Sequence, residues 1–322
     1  YGIESENTVV LYHIEDNGTA RVLWQDSIAN ASFVCTGEDY LFTITEEEDY
    51  AEIYLYRQTG DSYQFLDSKR IEGGLLCHIA YSPKNKALYG ACYGSGTIFA
   101  VQVEKDCFGE LLYHEIQQTS ESKALTRAHC VLLNKAETQL ITVNIAQDMI
   151  CYYDISEGKL TYQHQFSLPK GVGPRHAVLS RDEKLLYIIT EYSNEIFVYE
   201  NFGEHGLLQH ISTLSEEFKG ISNCSAICFS KNHDYLYAAN RGADTITLLE
   251  VEKNGTLIRR TEYDCGGKHP RHMMISKDGN YLVINNQNSN NVAIDILDNI
   301  SGAIRTQFLS IEFAAPSGVV EQ

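Results

Sequence analysis

No stretch of the chain reaches the roughly 18 consecutive apolar positions that a membrane-spanning helix needs, and no apolar run behind a basic start marks a secretory leader. Cations are scarce: 25 Lys and Arg stand against 43 Asp and Glu, a net charge of −18, which argues against nucleic acid and anionic membrane surfaces as partners. The single tryptophan, Trp24, and the missing Trp-Asp signature exclude a WD40 array. GxSxG, P-loop and HExxH patterns are absent, and the acidic run at Glu46 to Asp49 lacks the spacing of a calcium loop. Nine cysteines, an odd number, form no CxxC pair, so neither a thiolate metal site nor a disulfide framework is expected. Cys77 and Cys130 lie inside apolar strand patterns, where a thiol behaves as a small hydrophobe; reduced thiols and a cytoplasmic location are the expectation. The chain opens on Tyr1 rather than Met, so residues preceding it are expected in the native protein. Helical periodicity is missing from every segment of about 12 residues or more.

What is present is a repeat. A short apolar strand ends on Ser or a substitute, a polar turn follows, and two further apolar strands are separated by a polar break. The pattern reads Ser82-PKNKALYGACYGSGTIFAVQV, Asn134-KAETQLITVNIAQDMICYYDI, Ser180-RDEKLLYIITEYSNEIFVYE, Ser230-KNHDYLYAANRGADTITLLEV and Ser276-KDGNYLVINNQNSNNVAIDIL, with a shorter first copy at Thr36. Each copy holds the content of one propeller blade, about four short strands. Runs such as Ile196-FVYE are apolar on both faces, as a sheet sandwiched between neighbours requires. The spacing predicts an all-β, seven-bladed β-propeller, one domain over residues 1–322. Its last blade would be opened by Pro316-SGVVEQ and completed by strands before Thr36, so that paired N- and C-terminal strands close the ring.

Aligned copies expose columns. Five residues before the anchor stand Ala31, Cys77, His129, Arg175, Ser225 and Arg271; the next column reads Ser32, His78, Cys130, His176, Ala226 and His272. Eleven after the anchor stand Tyr93, Ile145, Glu191, Arg241 and Gln287, with Glu46 in the first copy. Antiparallel pairing brings the first and third columns to one end of each inner hairpin. Three arginines gathered in a protein of net −18 predict a local pocket for an anion, since guanidinium forks suit carboxylate and phosphate. The competing expectation is that these side chains pair with one another or with backbone carbonyls. In a regular strand the column of His78, His176 and His272 turns away from its neighbour and leans structural.

Gly173-PRH with Ser180-RDEKLLYIITE, Asn240-Arg-Gly, and His269-PRH with Asp278-Gly-Asn resemble the lactonase family of seven-bladed propellers. That family includes bacterial 6-phosphogluconolactonase and the 3-carboxy-cis,cis-muconate lactonizing enzyme. The resemblance runs through the whole chain. It implies a catalytic set of His129, Arg175, Glu191 and Arg271, with Arg241, His176, His272 and Gln287 as substrate-binding residues. Two departures stand out: Thr126-Arg-Ala-His replaces Pro-His-x-His, and Asn144-IAQD replaces Asp-Leu-Gly-x-Asp. The implied activity is hydrolysis of a small anionic sugar lactone, 6-phosphogluconolactone first. Its product would enter the pentose phosphate pathway, and the reaction would use neither metal nor cofactor. The alternatives are a cycloisomerase or lactonase acting on another carboxylated lactone, and a non-catalytic propeller that binds a ligand or partner. The expected state is a monomer or weak homodimer.

Overall fold

The computed structural model describes residues 7–118, 125–201 and 206–322. The described chain is all-β: six four-stranded antiparallel sheets and one two-stranded hairpin, Thr8–Ile14 with Ala20–Ser27. The sheets span 31–72, 76–116, 128–167, 174–212, 223–264 and 270–312, each a simple meander in chain order. One 3-10 turn, Gln287–Ser289, is the only helical element among the described residues. The chain divides into two compact units, Tyr1–Lys170 with Gln322, and Gly171–Glu321. The first holds the hairpin and three sheets, the second the last three sheets.

Within each unit the core lies between neighbouring sheets. In the first, Phe42, Ile53 and Leu55 pack on Leu76, Phe99 and Val101 of the next sheet. In the second, Tyr187, Ile189 and Val198 meet Leu236, Ala238 and Leu249, while Ile246 and Leu248 meet Met273 and Ile284. Such side chains each contribute about 1.5–3 kcal/mol on full burial, which is why the middle strands are apolar on both faces. The N-terminal hairpin covers the first sheet through Val9, Leu11 and Trp24, and Tyr56 Oη donates to Asp26 Oδ2 at 2.9 Å.

The anchor residues of the repeat prove to be turn staples. Ser180, Ser230 and Ser276 each accept the backbone N–H five residues on, at 2.9–3.0 Å. Asn134 does the same with Oδ1, from Thr138 and Gln139. Residues 316–322, expected as an opening strand, carry no regular secondary structure. Pro316 offers no N–H to a ladder, which is one physical reason. The segment is nonetheless held, since the Glu321 carboxylate accepts the Lys277 N–H.

Candidate active site

The local device that builds the site is a bulge. In the sheets beginning at Leu76, Ala128, Pro174 and Pro270, pairing of the first strand slips by one residue, and the unpaired residue is Cys77, His129, Arg175 and Arg271 respectively. A bulge bends the strand and re-aims a side chain. Just before it the chain turns through left-handed backbone: Leu75 has φ 49°, Gly173 φ 68° and His269 φ 61°. The carbonyl of that residue then accepts the N–H of the column eleven past the anchor. Glu191 N donates to Gly173 O at 2.6 Å and Gln287 N to His269 O at 3.1 Å. The two columns therefore do meet at one end of each inner hairpin.

In the second unit this brings charged groups together. Glu191 Oε2 lies 3.1 Å from Arg175 Nε and 2.8 Å from Arg241 Nη2. Arg175 is 4% exposed, and its Nη1 also donates to the Ser225 carbonyl. Arg241 further donates to the carbonyls of Asn223 and Cys224, at 3.3 and 3.0 Å. So the competing expectation holds for part of the set: two of the three arginines are engaged by Glu191 and by backbone carbonyls. Small residues in the same column behave alike, with Ser225 Oγ donating to Pro270 O and Cys77 Sγ lying 3.5 Å from His129 O.

The strict alternation expected of His176 and His272 does not survive the bulge. Arg175 Nη1 lies 3.3 Å from His176 Nε2, although the two are consecutive, and the His176 and His272 rings meet edge-on with centroids 6.3 Å apart. With two residues opposed to one, neighbours can share a side of the sheet. His176 thus accepts from a guanidinium on Nε2, which places its own proton on Nδ1. His272 is pushed down from 6.5 to about 4 by burial, then by Arg175 and Arg271. His269, missing from the expected site, belongs to it as well. Burial, Arg241 and Arg271 take its pKa to about 4, and its backbone N–H is held at 2.8 Å by Asp244 Oδ1. The signal for it was in the His269-PRH motif: a non-glycine residue where the fourth sheet has Gly173. Both imidazoles are neutral at pH 7, so the positive charge of the cluster is carried by guanidinium.

His129 lies in the first unit, buried, with Tyr93 edge-on at 5.8 Å. Arg127 stacks over the same tyrosine with its guanidinium carbon 4.6 Å from the ring centroid, and its Nη1 reaches Tyr93 Oη. Tyr93, a member of the third column, thus stands between His129 and Arg127, a cation that column reading left out. His78, in the same unit, packs against Phe33 with centroids 4.4 Å apart and accepts weakly from Val131 N–H, a structural place. Among the described residues no three His, Cys, Asp or Glu side chains gather as a metal site would need. All nine cysteines are free thiols. An open depression of about 780 Å³ lies at the other end of the second unit's strands, around Ser180, Lys184, Phe229, His233 and Gly255, away from this chemistry.

Four-stranded antiparallel meanders repeated along the chain, with Arg175 on a first-strand bulge and Glu191 at the same end of that inner hairpin, define a β-propeller. The chain belongs to the family described as lactonase, 7-bladed beta-propeller, which it matches over residues 4–321. It is 26% identical over 289 residues to 6-phosphogluconolactonase of Bacillus subtilis, covering 86% of this chain and 83% of that one. It is 25% identical over 239 residues to 6-phosphogluconolactonase of Yersinia pseudotuberculosis, covering 72% and 70%. A solved periplasmic gluconolactonase of Pseudomonas aeruginosa superimposes with a TM-score of 0.86 at 21% identity, over 95% of this chain and 92% of that one, and so shares the fold. No described helix is long and apolar enough to cross a membrane.

Proposed function

We propose that this lactonase hydrolyses 6-phosphogluconolactone to 6-phosphogluconate. The observation that carries the reading is a carboxylate, Glu191, held between two guanidiniums in a member of a lactonase family whose curated relatives include 6-phosphogluconolactonases. Opening a lactone takes three things: a base for the attacking water, charge stabilisation for the carbonyl oxygen as it becomes an oxyanion, and a proton for the departing ring alkoxide. Glu191 takes the proton as water adds to the carbonyl carbon. An arginine of the cluster stabilises the oxyanion. As the ring C–O bond breaks, His129 protonates the alkoxide, its imidazole being of the type that titrates near neutrality. The scheme runs on side chains alone, so EDTA should leave activity unchanged.

We further propose that the whole chain is one seven-bladed ring closed between its two ends, working in the cytoplasm as a monomer or weak homodimer. The test of function is a panel of lactones given to the purified protein: phosphorylated, neutral and carboxylated. Hydrolysis of 6-phosphogluconolactone well above its spontaneous rate supports the reading. Turnover of a carboxylated lactone in its place would move the assignment to the muconolactone side of the family.

A further inference from the structure

The two places where the chain departs from the family pattern, Thr126-Arg-Ala-His and Asn144-IAQD, are joined in the structure. Arg127 N donates to Asn144 Oδ1 at 3.1 Å, and Asn144 Nδ2 donates to Thr126 Oγ1 at 2.8 Å. Thr126 gives its own proton to the Gln117 carbonyl, so toward position 144 its oxygen can only accept. Position 144 must therefore present a donor on one side and an acceptor on the other. An amide supplies both, where a carboxylate would supply only the acceptor. Ile145 N donates to Arg127 O at 3.0 Å, so both backbone groups of Arg127 are held. The two departures are one exchange, and its effect is to fix where the Arg127 side chain starts.

That side chain ends on Tyr93. Its guanidinium carbon lies 4.6 Å from the ring centroid and its Nη1 donates to Oη, so the ring is gripped on its face and at its hydroxyl. Tyr93 and Arg127 are both half-buried, outside the apolar core that packs between these sheets, so the core does not by itself fix the ring. The ring in turn meets His129 edge-on, with centroids 5.8 Å apart and planes at 83°. His129 is the bulge residue of its strand, between Ala128 and Cys130, which pair with Asn144 and Val143. A bulge residue is left out of the ladder, so the aim of its ring depends on side-chain neighbours. We infer that Arg127 is a positioning residue: through Tyr93 it holds the His129 imidazole in the attitude from which it protonates the departing alkoxide. Because its fork is engaged by the phenol, it acts on the rate of the step rather than on the affinity for substrate.

The inference rests on the lactonase reading for the role of His129, so one arm of its test involves no reaction. In purified protein with labelled histidine rings, the His129 ε1 resonance is identified by its loss in His129→Gln. Arg127→Met, which removes the cation at similar length, should shift or broaden that resonance. Tyr93→Phe, which removes only the hydroxyl that Arg127 holds, should do the same. In turnover of 6-phosphogluconolactone, Arg127→Met should lower kcat about 10- to 100-fold, the effect of a slight misplacement, with KM within about threefold of wild type. Arg127→Lys, which keeps a cation over the ring, should recover part of that loss. Asn144→Asp should lower kcat in the same way, since a carboxylate has no proton for Thr126 Oγ1. In a His129→Ala background Arg127→Met should cost less than about twofold, because nothing is left to position. Melting curves establish that the variants fold; should Arg127→Met not fold, Tyr93→Phe carries both arms. A His129 resonance unchanged in the variants, or a loss in kcat as large without His129 as with it, overturns the inference. A resonance that moves as predicted in a protein without lactone turnover would sink the lactonase reading and leave the hold of Arg127 on His129 standing.

Discussion

Arg241 reaches from the fifth sheet to set its Nη2 2.8 Å from Glu191 Oε2 of the fourth. The contact ties two blades together at the site, with both arginines resting on Oε2 of the one carboxylate. A guanidinium 11% exposed and another 4% exposed depend on this one acid. Glu191 is thereby both a structural pivot and the proposed base.

Glu191→Gln should therefore do two things. It should lower kcat by about two to four decades, the usual contribution of a general acid or base. It should also lower stability by about 1–3 kcal/mol, because buried donors lose a charged acceptor while the shape is kept. His129→Ala should cost a similar factor in kcat, and the double variant less than the product of the two, because the groups serve one step. Steady-state kinetics on the three variants checks this; fully multiplicative losses would separate the two residues.

The four-stranded repeat, and the meeting of two columns at one end of each inner hairpin, were legible in the sequence because anchors such as Ser180 recur for a local reason, the stapling of a turn, and so keep register with the strands. The bulges were not legible. Nothing in Pro174-Arg-His says that pairing slips at Arg175, and the slip is what sets Arg175 against His176 where alternation would part them. The place of His269 escaped for the same reason, since left-handed backbone is betrayed by glycine at Gly173 but hidden by a histidine one motif later.

Gly173 is required twice over. Its φ is +68°, and a Cβ there would stand 2.4 Å from the Tyr192 ring carbon Cδ2. Gly173→Ala should lose about 1–2 kcal/mol from backbone conformation alone, with the ring contact adding to it. It should also lower kcat, because Gly173 O anchors the Glu191 backbone. Urea unfolding with unchanged slope and a lower midpoint is the expected record; a midpoint equal to wild type would show that the loop relaxes freely.

Acid should destabilise the protein above pH 4, with a sign that can be worked out. His269 and His272 are depressed from 6.5 to about 4, so between those values the unfolded chain holds two protons that the folded one lacks. Burial and then Asp264 raise Asp295 from 3.8 to about 6, so below that pH the folded chain holds one proton that the unfolded one lacks. Between pH 6 and 4 the difference is two less one, and these groups make stability fall by about 1.4 kcal/mol per pH unit as pH drops. Asp295→Asn removes the opposing proton and should make the fall about twice as steep. Melting temperatures from pH 6.5 to 4 measure it, and a slope unchanged in Asp295→Asn would contradict the assignment.

Deleting Pro316 to Gln322 tests closure of the ring between its ends. Exposed sheet edges invite pairing with other chains, so the truncated protein should aggregate or melt far below the full chain. A truncation that melts like the full chain would show that closure does not depend on this segment.

The most direct test of the whole account is the hydrolysis of 6-phosphogluconolactone by the wild type and by Glu191→Gln, read side by side as kcat/KM against the spontaneous rate. The wild type should open the phosphorylated lactone rapidly and its neutral counterpart more slowly, and the variant should lose about two to four decades. A wild type no faster than the spontaneous reaction, or a variant as fast as the wild type, would contradict it.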